Sequence, residues 1–259
     1  MKLIANISTL FTELPFCERI NAAAEAGFEG VEIQFPYGED LSKIQNACAR
    51  SRMNIELINL LAGDWDAGDV GLAALPDRLE EFQQGMEMAL FWAKELKVKK
   101  VNVLSGKTDG SNSSLVFETL VDNLARAASR FAEIDVQVQL EVINSLDVPG
   151  FFAGNLDIGL SAIDKVNHPN LRLQFDFYHM VRLGHSLVDA IQLAGKRIGH
   201  VQFADVPGRH EPGSGDIDFA SAIAALKAIG YDGAISAEYF PTGLSVESLG
   251  WMNDFKKIL

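Results

Sequence analysis

Eight short β-rich runs alternate with amphipathic helical segments along this chain, and that alternation constrains its fold more than any other feature. The runs are KLIANI, GVEIQF, IELINLL, KVNVLS, VQLEVIN, LRLQFDF, IGHVQFA and GAISAEY. Each is followed by a segment with apolar residues at helical spacing, from PFCERINAAAEAG after the first to SVESLGWMNDFKKIL after the last. Eight consecutive βα units with no linker or low-complexity break predict an α/β fold. The form they point to is a single (β/α)8 TIM barrel, one domain spanning residues 1–259. A doubly wound open sheet is the alternative, but no strand is followed by the glycine-rich fingerprint such a sheet uses for dinucleotides. EAGFEGVEI near the start and AIGYDGAIS near the end form a weak internal echo: a helix stops at Gly, turns through aromatic-acidic-Gly and enters a strand.

Charge narrows the partners. The net charge is −13, and no Lys/Arg cluster rises above it, which opposes nucleic acid and anionic membrane as partners. Cys17 and Cys48 form neither a CxxC nor a ligand-like spacing, as in a reduced cytoplasmic protein. The amino-terminal MKLIANIST lacks a secretory core, and no stretch approaches the roughly 18 apolar residues of a membrane span. The expectation is a cytoplasmic protein acting on a small molecule.

The strands carry polar residues where burial is expected. In LQFDFYHMV, residues 173–181, Asp176 interrupts an apolar run and His179 follows three positions later. A buried carboxylate without a partner costs several kcal/mol or takes up a proton. Side chains alternate between the faces of a strand. Gln139 and Glu141 therefore share one face of the fifth strand, Gln174 and Asp176 of the sixth, His200 and Gln202 of the seventh, and Ser236 and Glu238 of the eighth. Asn6, Glu32 and Asn102 join that face from earlier strands. With the apolar face turned to the helices, this polar face points into the barrel. Glu141, Asp176, Gln202 and Glu238 come late in their strands, at the end where such barrels place their chemistry. Three converging carboxylates need compensation, and oxygen-only ligands favour a hard cation, Mg²⁺ or Mn²⁺. The competing explanation for a lone acid at a strand end is a helix N-cap. No organic cofactor is implied.

At these residues the chain resembles the hydroxypyruvate isomerase family, including the 2-oxo-tetronate isomerases, of the xylose-isomerase-like TIM-barrel superfamily. HVQFADVPGRHEPGSGDID, residues 200–218, carries the most specific part of the likeness. INLLAGDWDAGDVGLAALP, LEVIN, FDFYH and AEYFPTG extend it over the whole chain; Asp216 departs from the family's usual Glu. The resemblance implies a metal held by Glu141, Asp176, Gln202 and Glu238, with Glu141 and Glu238 as the acid/base pair. Gln202 stands where related sugar epimerases have His. The implied reaction moves a proton between adjacent carbons of a small 2-oxo-3-hydroxy acid through an enediolate. It is an intramolecular oxidation–reduction of the aldose–ketose type.

Around this core, His179 is read as polarising substrate or orienting a ligand. Arg209 is read as a bidentate partner for a substrate carboxylate, with Lys107 a weaker candidate for the same anion. His210 and Glu211 organise the Arg209 loop. Phe35, Tyr37 and Trp65 are candidate pocket walls, whereas His168 and His185 carry no site role. Rivals are a ketose 3-epimerase, an AP-endonuclease-like hydrolase and a non-catalytic sugar-acid binding protein. The hydrolase needs a richer metal centre than five histidines suggest and a basic groove. The binding protein has no use for two opposed glutamates. A homo-oligomer is left open.

Overall fold

The computed structural model describes residues 1–259. In chain order the elements are β1 (Lys2–Asn6), α1 (Phe16–Glu25), β2 (Val31–Ile33), α2 (Leu41–Ser51), β3 (Ile55–Asn59), α3 (Leu79–Leu96), β4 (Lys100–Val103) and α4 (Ser113–Ala132). There follow β5 (Gln137–Glu141), α5 (Leu156–Val166), β6 (Leu171–Asp176), α6 (Phe177–Arg182), α7 (Leu187–Ala194), β7 (Ile198–Phe203), α8 (Phe219–Ala228), β8 (Ala234–Ala237) and α9 (Met252–Ile258). The strands form a closed parallel barrel in sequence order, so the expected (β/α)8 TIM barrel is the observed fold. β8 returns beside β1 with Leu3 opposite Ile235 and Ala5 opposite Ala237. No helix is long and apolar enough to cross a membrane.

The backbone packs as two compact units. One comprises residues 1–56 with 175–259, the other residues 57–174. The first holds β1, β2, β7 and β8 with α1, α2 and α6 to α9; the second holds β4 and β5, most of β3 and β6, and α3 to α5.

Helix starts follow local chemistry. Asp40, Asn155, Ser186 and Asp218 each cap a helix by accepting a backbone N–H three residues ahead. α1 stops because Gly27 takes φ +87°, a left-handed conformation that glycine adopts without steric cost.

Two stretches depart from the periodicity. The spacing over Ser245–Leu259 predicts one helix, but Ser245–Trp251 winds as a 3₁₀ helix before α9. There the Ser248 hydroxyl donates to the Ser245 carbonyl at 2.8 Å, a side-chain bond that competes with regular helix bonding. The other departure is α6, which springs directly from β6 with no Gly or Pro between them to announce it.

In the first unit, the outward face of β7 is held by rings. Phe203 stacks on Phe255 at 4.6 Å between centroids and meets Trp251 and Phe219 edge-on at 5.4 and 5.8 Å. With Phe203 turned to α8 and α9, alternation turns Gln202 inward. Phe203 is fully buried, so Phe203→Ala is expected to destabilise the protein by about 3–5 kcal/mol, read by denaturant unfolding. A loss under about 1 kcal/mol would mean that the ring cluster does not hold this strand.

Candidate active site

The first unit carries a buried acidic network built on β1, β2, β7 and β8. Asn6 ends β1 directly opposite Glu32 in the register. Its amide nitrogen donates to Glu32 Oε1 and to Glu238 Oε2, both at 2.9 Å. The Gln202 amide donates to the same two carboxylates, at 2.6 Å to Glu32 Oε1 and more closely to Glu238 Oε2. Below them His200 Nε2 lies 2.7 Å from Glu32 Oε2, with both side chains wholly buried. Glu238 sits one residue past the end of β8, and its Oε1 also accepts from Gln34 at 3.2 Å.

Asp176 has two duties. Its Oδ1 accepts the Tyr178 backbone N–H at 2.8 Å and caps α6, so the N-cap explanation of this residue is correct as far as it goes. Its Oδ2 is left to face the site. There Arg209 donates to it at 3.2 Å, and the same guanidinium nitrogen donates to Glu238 Oε1 at 2.7 Å. The guanidinium lies over the Tyr178 ring at 5.1 Å and the Phe240 ring at 6.0 Å. His179 Nε2 is 3.6 Å from Asp176 Oδ2.

Arg209 reaches this point because its loop is tied to one buried side chain. Asp205, just past β7, accepts backbone N–H groups from Val206, Gly213, Gly215 and Ile217 at 2.8–3.1 Å. Gly215 packs so closely that a Cβ there would fall 1.7 Å from the Val206 carbonyl oxygen. Arg209 itself takes φ +56°, and its carbonyl accepts the Phe240 N–H at 2.8 Å. The His210 ring meets the Phe240 carbonyl at 2.7 Å, and Glu211 accepts from the Thr242 hydroxyl and N–H. These contacts fasten the segment after β7 to the segment after β8.

Burial dominates the electrostatics. Asp176 and Glu238 are both raised well above the usual carboxylate range, chiefly by burial. The Arg209 charge opposes the shift and neighbouring carboxylates add to it. Burial, reinforced by the Arg209 charge, holds His179 well below its ordinary value, so its contact with Asp176 is that of a neutral imidazole and not an ion pair. Because the two native carboxyls bind protons more tightly than their unfolded counterparts, the folded state retains protons above the ordinary carboxylate pKa of about 4. The contribution of this pair to stability should therefore fall as pH rises from about 4 through the raised native values. Melting of the metal-free protein at about pH 5 and about pH 8 checks this: Asp176→Asn should flatten the decline. An unchanged slope would exclude Asp176 as its source.

In the second unit Glu141 ends β5 and is buried. Its Oε2 accepts from the Asn102 amide at 2.7 Å, and that amide also donates to Asn59 at 3.2 Å. Glu141 stands opposite Gln174 in the β5–β6 register, and β6 ends two residues later at Asp176. Lys107 is exposed and donates to the Gly68 carbonyl at 3.2 Å.

The pattern of the xylose isomerase-like TIM barrel matches residues 20–255. The chain belongs to that family. The hydroxypyruvate isomerase of Escherichia coli K12 is 38% identical over 99% of this chain and 100% of its own length. The 2-oxo-tetronate isomerase of Pectobacterium atrosepticum is 34% identical over 96% of both. This family member is therefore an isomerase, an enzyme with a small-molecule substrate. A crystal structure from Brucella melitensis, described as an AP endonuclease of family 2, superposes with a TM-score of 0.95 at 35% identity, covering 98% of this chain and 99% of that one. A D-allulose 3-epimerase from Methylomonas sp. shares the fold, with a TM-score of 0.84 at 22% identity over 100% of this chain and 98% of its own.

Of the residues singled out in the isomerase's sequence, Asp176, His179, Gln202, Arg209 and Glu238 come together in the first unit. Glu141 and Lys107 belong to the second. Phe35 and Tyr37 are half-buried, and Trp65 is exposed. His168 accepts the Asn170 N–H at 3.1 Å within a turn. Sequence reasoning gave no role to Asp205. The only signal was an acid directly after a strand and before a glycine-rich loop, a pattern common to ordinary turns.

Proposed function

We propose that this isomerase interconverts a small 2-oxo-3-hydroxy acid and its carbonyl isomer, with residues 1–259 acting as one catalytic domain. Hydroxypyruvate with tartronate semialdehyde, or a 2-oxo- with a 3-oxo-tetronate, are the substrate pairs. The observation that carries this is a buried glutamate, Glu238, held by two amides on one oxygen and by the Arg209 cation on the other. Such a group is aimed, shielded from bulk water and raised toward neutral, as a proton-transferring carboxyl should be. Glu141 is its partner: one carboxylate takes the proton from one carbon, and the other, protonated, gives a proton to the adjacent carbon of the enediolate.

The residues present suit a divalent ion. Asp176, Gln202, Glu238 and Glu141 offer oxygen donors, the chemistry that Mg²⁺ or Mn²⁺ prefers. His179 presents a neutral nitrogen beside Asp176, and both belong to a buried group suited to a metal. Carboxyls raised by burial and by neighbouring carboxylates gain from any added positive charge. When bound, the ion supplies Lewis-acid stabilisation of enediolate oxygens. Arg209 adds a fixed cation for the substrate carboxylate, which the acidic face would otherwise repel.

The test is isomerisation in deuterated water with hydroxypyruvate, 2-oxo-tetronates and free ketoses, each with and without Mg²⁺ or Mn²⁺. Turnover of the 2-oxo acids should exceed that of ketoses, with solvent deuterium entering the product. Chelator-stripped protein should lose activity and regain it with the ion. Preference for free ketoses would instead support a 3-epimerase; full activity after stripping would end the metal assignment while leaving the glutamate chemistry intact.

A further inference from the structure

We infer that Glu32 is a positioning residue that fixes which end of the Gln202 amide faces the cation site, an inference that rests on the proposed metal. Glu32 lies outside the ligand set and is wholly buried. Its Oε1 receives two amide donors, Asn6 at 2.9 Å and Gln202 at 2.6 Å, and its Oε2 lies 2.7 Å from His200 Nε2. A glutamine side chain can present either oxygen or nitrogen to a cation, and only the oxygen can bind one. Glu32 accepts the Gln202 N–H, which holds the amide nitrogen toward Glu32 and Glu238, so the carbonyl oxygen is turned the other way. Asn6 spans the same two carboxylates from β1 and fixes where they stand. In a chain with Gln at this ligand position, the second carboxylate thus supplies an orientation that the side chain lacks. Buried partners of this kind typically change metal affinity by about 10–100-fold when removed.

His200 provides the discriminating control. In Glu32→Gln the new amide can keep its oxygen toward Gln202 and Asn6, turning its nitrogen to His200, whose neutral ring can accept in its other tautomer. Glu32→Met fills similar space and accepts nothing.

The experiment is Mn²⁺ titration of wild type, Glu32→Gln and Glu32→Met by calorimetry on stripped protein, with melting of each to establish folding. Glu32→Met should weaken Mn²⁺ by about 10–100-fold, and Glu32→Gln should recover most of that loss. Equal affinity in wild type and the methionine variant, or equal loss in both variants, overturns the inference. Absence of Mn²⁺ binding in wild type overturns the metal itself, a separate outcome. Should the methionine variant fail to fold, wild type still decides through the Gln202 side-chain NH₂ signals in NMR. These should exchange slowly with solvent before and after Mg²⁺ is added; rapid exchange in the Mg²⁺-loaded protein overturns the inference.

Discussion

Glu238→Gln is expected to cut turnover by about 10²–10⁴-fold while leaving the barrel folded. The amide keeps the size of the side chain but can neither take up nor return a proton. Glu238 is almost wholly buried and sits among Asp176, Glu32 and one counter-charge, Arg209. The substitution removes a negative charge from the cluster but turns an NH₂ toward groups that already donate to Glu238, so melting of the variant is measured beside turnover to separate loss of chemistry from loss of structure. Glu141→Gln should act in the same range, as expected of the second member of the proposed acid/base pair. Single-turnover rates and deuterium incorporation measure the effect. Turnover within a factor of about three of wild type would remove the altered residue from proton transfer.

Arg209→Ala should lower kcat/KM for a 2-oxo acid by about 2–5 kcal/mol, and Arg209→Lys by less. One guanidinium nitrogen already serves both Asp176 and Glu238, and the plane is held over Tyr178 and Phe240. A lysine offers a point charge with no plane to lie on the rings and no fork to match a carboxylate. The decisive comparison sets an acid against its neutral analogue in both variants. A larger loss on the acid means that Arg209 reads the substrate carboxylate; equal losses mean that it serves only the protein's own carboxylates. The sign of the pH effect follows from the same contacts. Arg209 lowers both raised carboxyls, so its removal raises them further. The limb of the pH profile that requires an ionised base should then move to higher pH. An unmoved limb would mean that neither carboxyl is the titrating base.

The barrel was legible in the sequence because its signal is local. Each strand and helix announces itself by the period of its apolar residues, and eight such pairs in order leave one economical closure. The inward set was legible for the same reason: alternation along VQLEVIN, LRLQFDF, IGHVQFA and GAISAEY assigns Glu141, Asp176, Gln202 and Glu238 to one face without any knowledge of neighbours. What stayed hidden depends on contacts between residues far apart in the chain. Asp205 is a loop organiser only because the chain folds back to bring the N–H groups of Gly213, Gly215 and Ile217 onto one carboxylate. α6 was missed because its N-cap, Asp176, is also the last residue of β6 and no breaker separates the two. The sequence points Arg209 at a substrate carboxylate, and its bond to Glu238 exists only because loops after β7 and β8 are fastened together. The pairing of Glu32 with Gln202 across 170 residues has no trace in either segment. Periodicity records which face a side chain takes, since that follows from backbone geometry alone. Which partner waits on that face is set by the closure of the barrel, and there the tertiary structure alone decided.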